Sequence, residues 1–201
     1  MYEVVGTAQT RAFRVLWMLE ELGLEYKHLD VAPRSEAILK YNPTGKVPVL
    51  LVGGEPIIDS TAIITYLADK HGAVTGRMTW PAGTLERARQ DAMTHFVLDE
   101  LDAVLWTGAR HTFILPEEKR LPEIKESLRW EFERSQIVLL ERMGDGPFLC
   151  GDRMTVPDII AAHCVRWAMV AKFPVNAEFA AYGKRLSERA AYKRAAAASR
   201  A

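Results

Sequence analysis

The stretch Asn42-Pro43-Thr44-Gly45-Lys46-Val47-Pro48-Val49-Leu50-Leu51-Val52 decides how the rest of the chain is read. Its first two residues halt a short helical run over Ser35 to Tyr41, because proline cannot continue a helix and restricts the residue before it. Its last residues are β-branched and aliphatic, as a buried strand requires. Proline has no N–H for a ladder, so Pro48 at the head of that strand marks an edge or a backbone left open. Two readings follow. A cis Val47-Pro48 bond turns the Val47 peptide groups out of the sheet, free to pair with an extended peptide ligand; a trans bond makes the segment a turn ahead of a strand.

Working outward, Gly53-Gly54 followed by Pro56-Ile57-Ile58 predicts a hairpin with a two-residue turn. Asp59 or Ser60 then caps a helix carrying Ile63, Ile64 and Leu67 that ends at His71-Gly72. Upstream, Tyr2 to Val5 reads as a strand, and Tyr26 to Val31 as a second. Between them Arg11 to Leu22 places Ala12, Val15, Leu16 and Leu19 at helical spacing and stops at Gly23. The order is βαβαββα: a parallel βαβ half joined to an antiparallel ββα half, giving a small mixed sheet faced by helices. Gly72 to Gly83, rich in Gly, Thr and Pro, reads as a linker with a boundary near residue 76.

Beyond it the periodicity is helical throughout. Thr84 caps a helix with Met93, Phe96, Val97, Leu101 and Val104 inward, and a second runs from about Leu121 to Met143. A third opens at Thr155-Val156-Pro157-Asp158, a capping hydroxyl with an acid three positions on and a proline in the first turn. An Ala-rich pair follows from Asn176 to Arg200. The expected domains are therefore an α/β unit over 1–75, a linker over 76–84 and an all-α helical bundle over 85–201.

Composition removes several classes of function. Of 201 residues 49% are hydrophobic, enough for a sizeable core. Lys+Arg and Asp+Glu both number 26, so no net field exists to draw the chain to a nucleic acid or an acidic surface. Cys150 and Cys164 lack any CxxC or Cys/His spacing, which argues against a disulfide framework and for a reduced compartment. His95 and His111 are out of helical register, and the adjacent His163-Cys164 cannot chelate one ion from a helix, so no metal is expected. Met1 to Gly6 has neither a basic nor an apolar leader, and no run approaches about 18 apolar residues, so a cytoplasmic location without membrane contact is expected.

Three places offer chemistry. In Gly6-Thr7-Ala8-Gln9-Thr10-Arg11 two hydroxyls sit where helix-start donors converge, so an anion such as a thiolate would be stabilised there; Thr10 serves equally as an N-cap. Asp59-Ser60-Thr61 opens a helix directly after a strand, so its N–H groups suit a carboxylate and Asp59 an ammonium, although simple capping explains the pair as well. Trp106, Arg110 and Phe113 share a helical spacing that suits either a pocket wall or ordinary packing with Arg110 in solvent. The acids Asp91, Asp99, Glu100 and Asp102 read as a solvated helix face, and Asp158 as a capping carboxylate.

Taken in this order, the segments resemble the glutathione transferase superfamily over essentially the whole chain. Asn42 to Leu50 is similar to the family's NPxGKVPxL segment with its cis-proline, Asp59-Ser60 to its acid-serine pair, and Thr155 to Asp158 to the capping box of its sixth helix. The first loop resembles the S-x-x-[ST]-R pattern of bacterial-type, serine-type members, with Thr7 in the place of the leading serine. The resemblance implies a thioredoxin-like first domain, glutathione as co-substrate and a homodimer in which Tyr66, Trp80 and Phe96 lie near the two-fold axis. It implies that Thr7, with Thr10 beside it, stabilises the glutathione thiolate. Lys46, Val47, Pro48, Asp59 and Ser60 would hold the tripeptide, Arg34 or Lys40 would meet its glycyl carboxylate, and Ala8, Trp106, Arg110 and Phe113 would line the place of a small hydrophobic electrophile. The implied activity is conjugation of glutathione to that electrophile in detoxification. Its alternatives are a non-catalytic glutathione-binding, ligandin or interaction module, and a glutathione-dependent isomerase or dehalogenase.

Overall fold

The computed structural model describes residues 1–72 and 76–198. Part of the expected linker region (73–75) and the end of the Ala-rich pair at Arg200 lie outside the described residues. The chain forms two compact units, one of Met1–Ala82 with the segment from Ser187 onward, the other of Gly83–Leu186.

In the first unit the strands β1 (Tyr2–Val5), β2 (Tyr26–Leu29), β3 (Val49–Val52) and β4 (Glu55–Ile58) form one sheet in the order β2-β1-β3-β4. β2 runs parallel to β1, with Tyr26 opposite Tyr2, and β3 runs antiparallel, with Val49 opposite Val5. The β3–β4 turn is Gly53-Gly54, both at positive φ (60° and 92°), which glycine adopts without steric cost. The predicted strand at Val47 begins two residues later, after Pro48, because proline supplies no ladder donor. The helices α1 (Ala12–Leu22), α2 (Glu36–Leu39) and α3 (Ser60–Leu67) complete the βαβαββα order of a thioredoxin-like domain.

Val5, Ile38, Val49 and Leu51 make one buried cluster, joined by Leu29, Val31, Tyr41 and Val47. Phe13, Leu16, Ile63, Ile64 and Leu67 are buried on α1 and α3, which pack together. One further helix, α9 (Ala190–Ala198), belongs to this unit, although the sequence places it with the helices from residue 85 on. It docks on α1 because the side chains match: Tyr192 meets Phe13 and Trp17 edge-on, each at 4.9 Å, while Arg189 grips Glu21 with two bonds of 2.6 and 2.7 Å. Arg194 holds Glu20 at 2.6 Å.

The second unit holds α4 (Leu85–Phe96), α5 (Ala103–Ala109), α6 (Ile124–Met143), α7 (Val156–Val170) and α8 (Ala177–Ser187). Thr84 caps α4 as expected, its hydroxyl accepting from the Arg87 N–H at 3.2 Å. Between α4 and α5 the backbone is π-helical over Val97–Asp102, and again over Arg110–Ile114, so the register of this rod shifts twice. The solvated acidic face holds at Asp99 and Glu100, which are exposed, and is corrected at Asp102, which is only 7% exposed with the Cys164 thiol directed at its carboxylate. α7 is the central helix, buried almost all round. Among the described residues no helix is long and apolar enough to cross a membrane.

Candidate functional site

The loop from β1 to α1 is held by backbone bonds to β2 and the residues after it. Gly6 N–H donates to the Leu29 carbonyl (2.9 Å) and Thr7 N–H to the Val31 carbonyl (3.0 Å), while His28 Nε2–H donates to the Gly6 carbonyl (2.8 Å). Gly6 has φ 139°, and a Cβ added there would lie 2.7 Å from Val47 Cβ. Only glycine lets this loop approach the Val47 turn so closely. Thr10 closes the loop: its hydroxyl donates to the Thr7 carbonyl at 2.6 Å and accepts from the Ala12 N–H at 3.2 Å. The residue flanking α1 is Arg11, already helical in φ and ψ and without a side-chain cap bond, and the capping contact is made one residue earlier, by the Thr10 hydroxyl as expected. The Thr7 hydroxyl donates to Gln9 Oε1, and Ala8 is buried beneath the turn.

Beside it stands the turn quoted at the outset. The Val47-Pro48 bond is cis. Sequence reading took Asn42 only as a helix stop, yet it organises this turn from a buried position. Its Nδ2 donates to the Lys46 carbonyl (2.9 Å), and its Oδ1 accepts from both the N–H and the hydroxyl of Thr44 (3.1 and 2.8 Å). The Asn-Pro-Thr-Gly pattern carries that signal, since asparagine side chains bond their own backbone two residues on. Lys46 is thereby presented on the surface. Arg34, at φ 64°, donates its N–H to the Gly45 carbonyl at 2.8 Å, which sets it next to Lys46.

The third part is the start of α3. Asp59 sits at φ 72° with its Oδ1 accepting from the N–H groups of Thr61 (2.8 Å) and Ala62 (3.1 Å), so the carboxylate caps its own helix while exposed to solvent. Ser60 is buried and accepts from the Arg14 guanidinium at 3.4 Å. Arg14 was not legible as a site residue; a basic residue inside an otherwise apolar helical run was the one available signal.

In the other unit, Trp106 lies on α5, with Arg110 and Phe113 on the π-helical turn after it. The even spacing read from sequence is therefore not an even helical stripe. Phe113 is 65% exposed, and Arg110 Nη2 donates to the Thr107 hydroxyl at 2.9 Å. Burial pushes the Cys150 thiol up to about 11, which leaves it protonated and a poor nucleophile at neutral pH. At α7 the predicted capping box is present. Asp158 Oδ2 accepts from the N–H (2.7 Å) and the hydroxyl (3.0 Å) of Thr155, and Oδ1 from Leu149 N–H (2.9 Å) and the Tyr182 hydroxyl (2.7 Å). Burial raises the Asp158 carboxyl above its usual range and these donors pull it back.

Comparison with known proteins agrees with this geometry. The family description "Glutathione S-transferase, N-terminal domain" matches residues 10–70, from the Thr10 turn to beyond α3. A glutathione transferase of Zea mays is 34% identical over 102 residues, covering 49% of this chain and 45% of that one. A probable glutathione S-transferase of Nicotiana tabacum is 30% identical over 151 residues, covering 74% and 62%. The matches thus span between about half and three fifths of these relatives' lengths. Among solved structures, a glutathione transferase of Phanerochaete chrysosporium in complex with oxidized glutathione superposes with a TM-score of 0.81 at 25% identity, over 98% of this chain and 96% of that one. The family description over residues 10–70, the relatives and the superposition over nearly the whole chain agree, and the chain belongs to the glutathione transferase superfamily.

Proposed function

We propose that the protein is a glutathione transferase that conjugates the glutathione thiolate to a small hydrophobic electrophile. The observation that carries this reading is the packing of the Thr7 loop against the cis Val47-Pro48 turn. Residues 1–75 form the glutathione-binding domain and 76–84 the linker. The Val47 backbone and Lys46 hold the tripeptide, Asp59 and Ser60 its γ-glutamyl end, and Arg34 its glycyl carboxylate. Trp106, Arg110 and Phe113 contribute surface to the electrophile, with Ala8 below Thr7. The active form is a homodimer in the cytoplasm, with Tyr66, Trp80 and Phe96 at the subunit interface.

The chemical task is modest. A thiol of pKa about 8.5 is only about 3% ionised at pH 7, and lowering it by about 2 units requires about 2.7 kcal/mol of differential stabilisation. One charge-assisted hydrogen bond from Thr7, helped by the N-terminus of α1, is of that size, about 1.5 to 3 kcal/mol. The Thr7 hydroxyl, now on Gln9, must rotate to the sulfur for this. That same engagement favours a second reading, a glutathione-binding module without the transfer step.

One titration series separates them. Glutathione should raise the melting temperature, by a stabilisation of about 2.7 kcal/mol at a hundredfold excess over Kd. Thr7→Ala should then lower turnover and raise the pH midpoint of the rate with little change in stability. Thr10→Ala should cost about 1 kcal/mol of stability, because its hydroxyl ties Thr7 to the head of α1. Glutathione-dependent stabilisation without conjugation of any electrophile in a panel selects the binding module, and no stabilisation at millimolar glutathione refutes both. A sedimentation mass of one chain refutes the dimer.

A further inference from the structure

α1 is apolar along its buried length except at Arg14 and, near its end, Glu21, which Arg189 pairs. Between Phe13 and Val15 the chain places Arg14, whose side chain is 0% exposed. Enclosing a guanidinium is costly unless its hydrogens are used, so where they point is informative. Arg14 Nη1 reaches Ser60 Oγ at 3.4 Å, at the first residue of α3. A guanidinium carries N–H donors and no acceptor, so the serine oxygen accepts in this contact and its single hydrogen is directed to another group. One residue earlier, Asp59 presents an exposed carboxylate fixed by its bonds to Thr61 and Ala62. The turn therefore offers two opposite handles side by side, an anion and a hydroxyl donor backed by a cation.

We propose that Arg14 is a positioning residue that fixes Ser60 as a hydrogen-bond donor and tunes the start of α3 for a carboxylate, the α-carboxylate of the γ-glutamyl group, leaving the neighbouring ammonium to Asp59. The inference rests on the glutathione reading above. A hydroxyl free to turn serves a neutral amide as readily as a carboxylate. With a guanidinium on its oxygen it remains a donor within a positive field and discriminates in favour of the anion. Arg14 does this through Ser60, from inside the core.

The test compares glutathione with its analogue in which the γ-glutamyl α-carboxylate is a primary amide, both titrated calorimetrically into the full chain. The wild-type protein should prefer glutathione by about ten- to a hundredfold, the range of a charge-assisted hydrogen bond. Arg14→Met, which keeps the apolar stem, should bring the two affinities within about threefold, mainly by weakening glutathione. A residue that only fills the core would weaken both ligands alike and leave their ratio unchanged, and that result overturns the proposal. If Arg14→Met does not fold, Arg14→Lys takes its place. One ammonium replaces the planar fork, the ratio should fall several-fold, and an unchanged ratio again overturns the proposal. Failure of the wild type to bind glutathione removes the glutathione reading itself. Binding with an unchanged ratio in the variants removes only the role of Arg14.

Discussion

Gly6 and Cys150 show how single residues set what their surroundings can do. At Gly6 the backbone is at φ 139° and the space for a Cβ is already taken by Val47. Gly6→Ala should therefore cost about 1 to 3 kcal/mol and drive the Thr7 loop away from the cis-proline turn. Thermal unfolding should register the loss, and glutathione-induced stabilisation should shrink with it. Cys150 titrates at about 11 because burial opposes its thiolate. At pH 8 it is about 0.1% ionised, against about a quarter for an ordinary thiol, so an aromatic disulfide reagent should label the native chain slowly and the denatured chain fast. The sign of the linked stability follows. The unfolded chain releases this proton near 9, the folded one holds it to about 11, so the contribution of Cys150 is full below 9 and lost as pH climbs through that window. A urea midpoint that is flat between pH 9 and 11 in wild type, and unchanged in Cys150→Ala, would contradict this assignment.

At the scale of elements, the start of α7 concentrates the most bonds on one side chain. Each Asp158 oxygen accepts two donors. An amide cannot reproduce that, because whichever oxygen becomes NH2 faces donors. Asp158→Asn should thus cost about 2 kcal/mol or more and Asp158→Ala at least as much, read as a fall of about 2 to 4 °C in Tm per kcal/mol. This box was plain in the sequence because its parts are three residues apart and each has a local job. The βαβαββα order was legible for the same reason: Gly23, Gly53-Gly54 and Pro48 are local punctuation, and the strands between them are short and apolar. The π-helical turns were not, since nothing in Val97–Asp102 or Arg110–Ile114 departs from a helical pattern; the register shift is a property of packing. It moved Asp102 into the interior and left Trp106, Arg110 and Phe113 off a common stripe. Of the site, the turn residues were legible, whereas Asn42 and Arg14 act through partners that only folding brings near.

At the scale of the molecule, the telling feature is α9 on α1. Arg189 pairs with a Glu21 that is only 5% exposed and also accepts from the Trp17 indole at 3.0 Å. Arg189→Met leaves that carboxylate buried with less to neutralise it and should cost about 1.5 to 3 kcal/mol; Arg194→Met, at a more exposed pair, should cost under about 1 kcal/mol. Equal losses in the two variants would show that Glu21 is not the anchor. The same docking has a consequence for how the protein is made. The first unit closes with residues from 187 on, which leave the ribosome only after the whole of Gly83–Leu186 has been synthesised. Tyr192, which covers Phe13 and Trp17, follows Trp17 by 175 residues, so at about 5 to 20 residues per second that surface of the nascent chain stays uncovered for about 9 to 35 s. During that interval the growing chain presents an aromatic, acid-flanked helix face to whatever meets it at the exit tunnel, and ribosome-stalled chains ending before 187 should be digested by protease within α1 while the released full-length chain is spared.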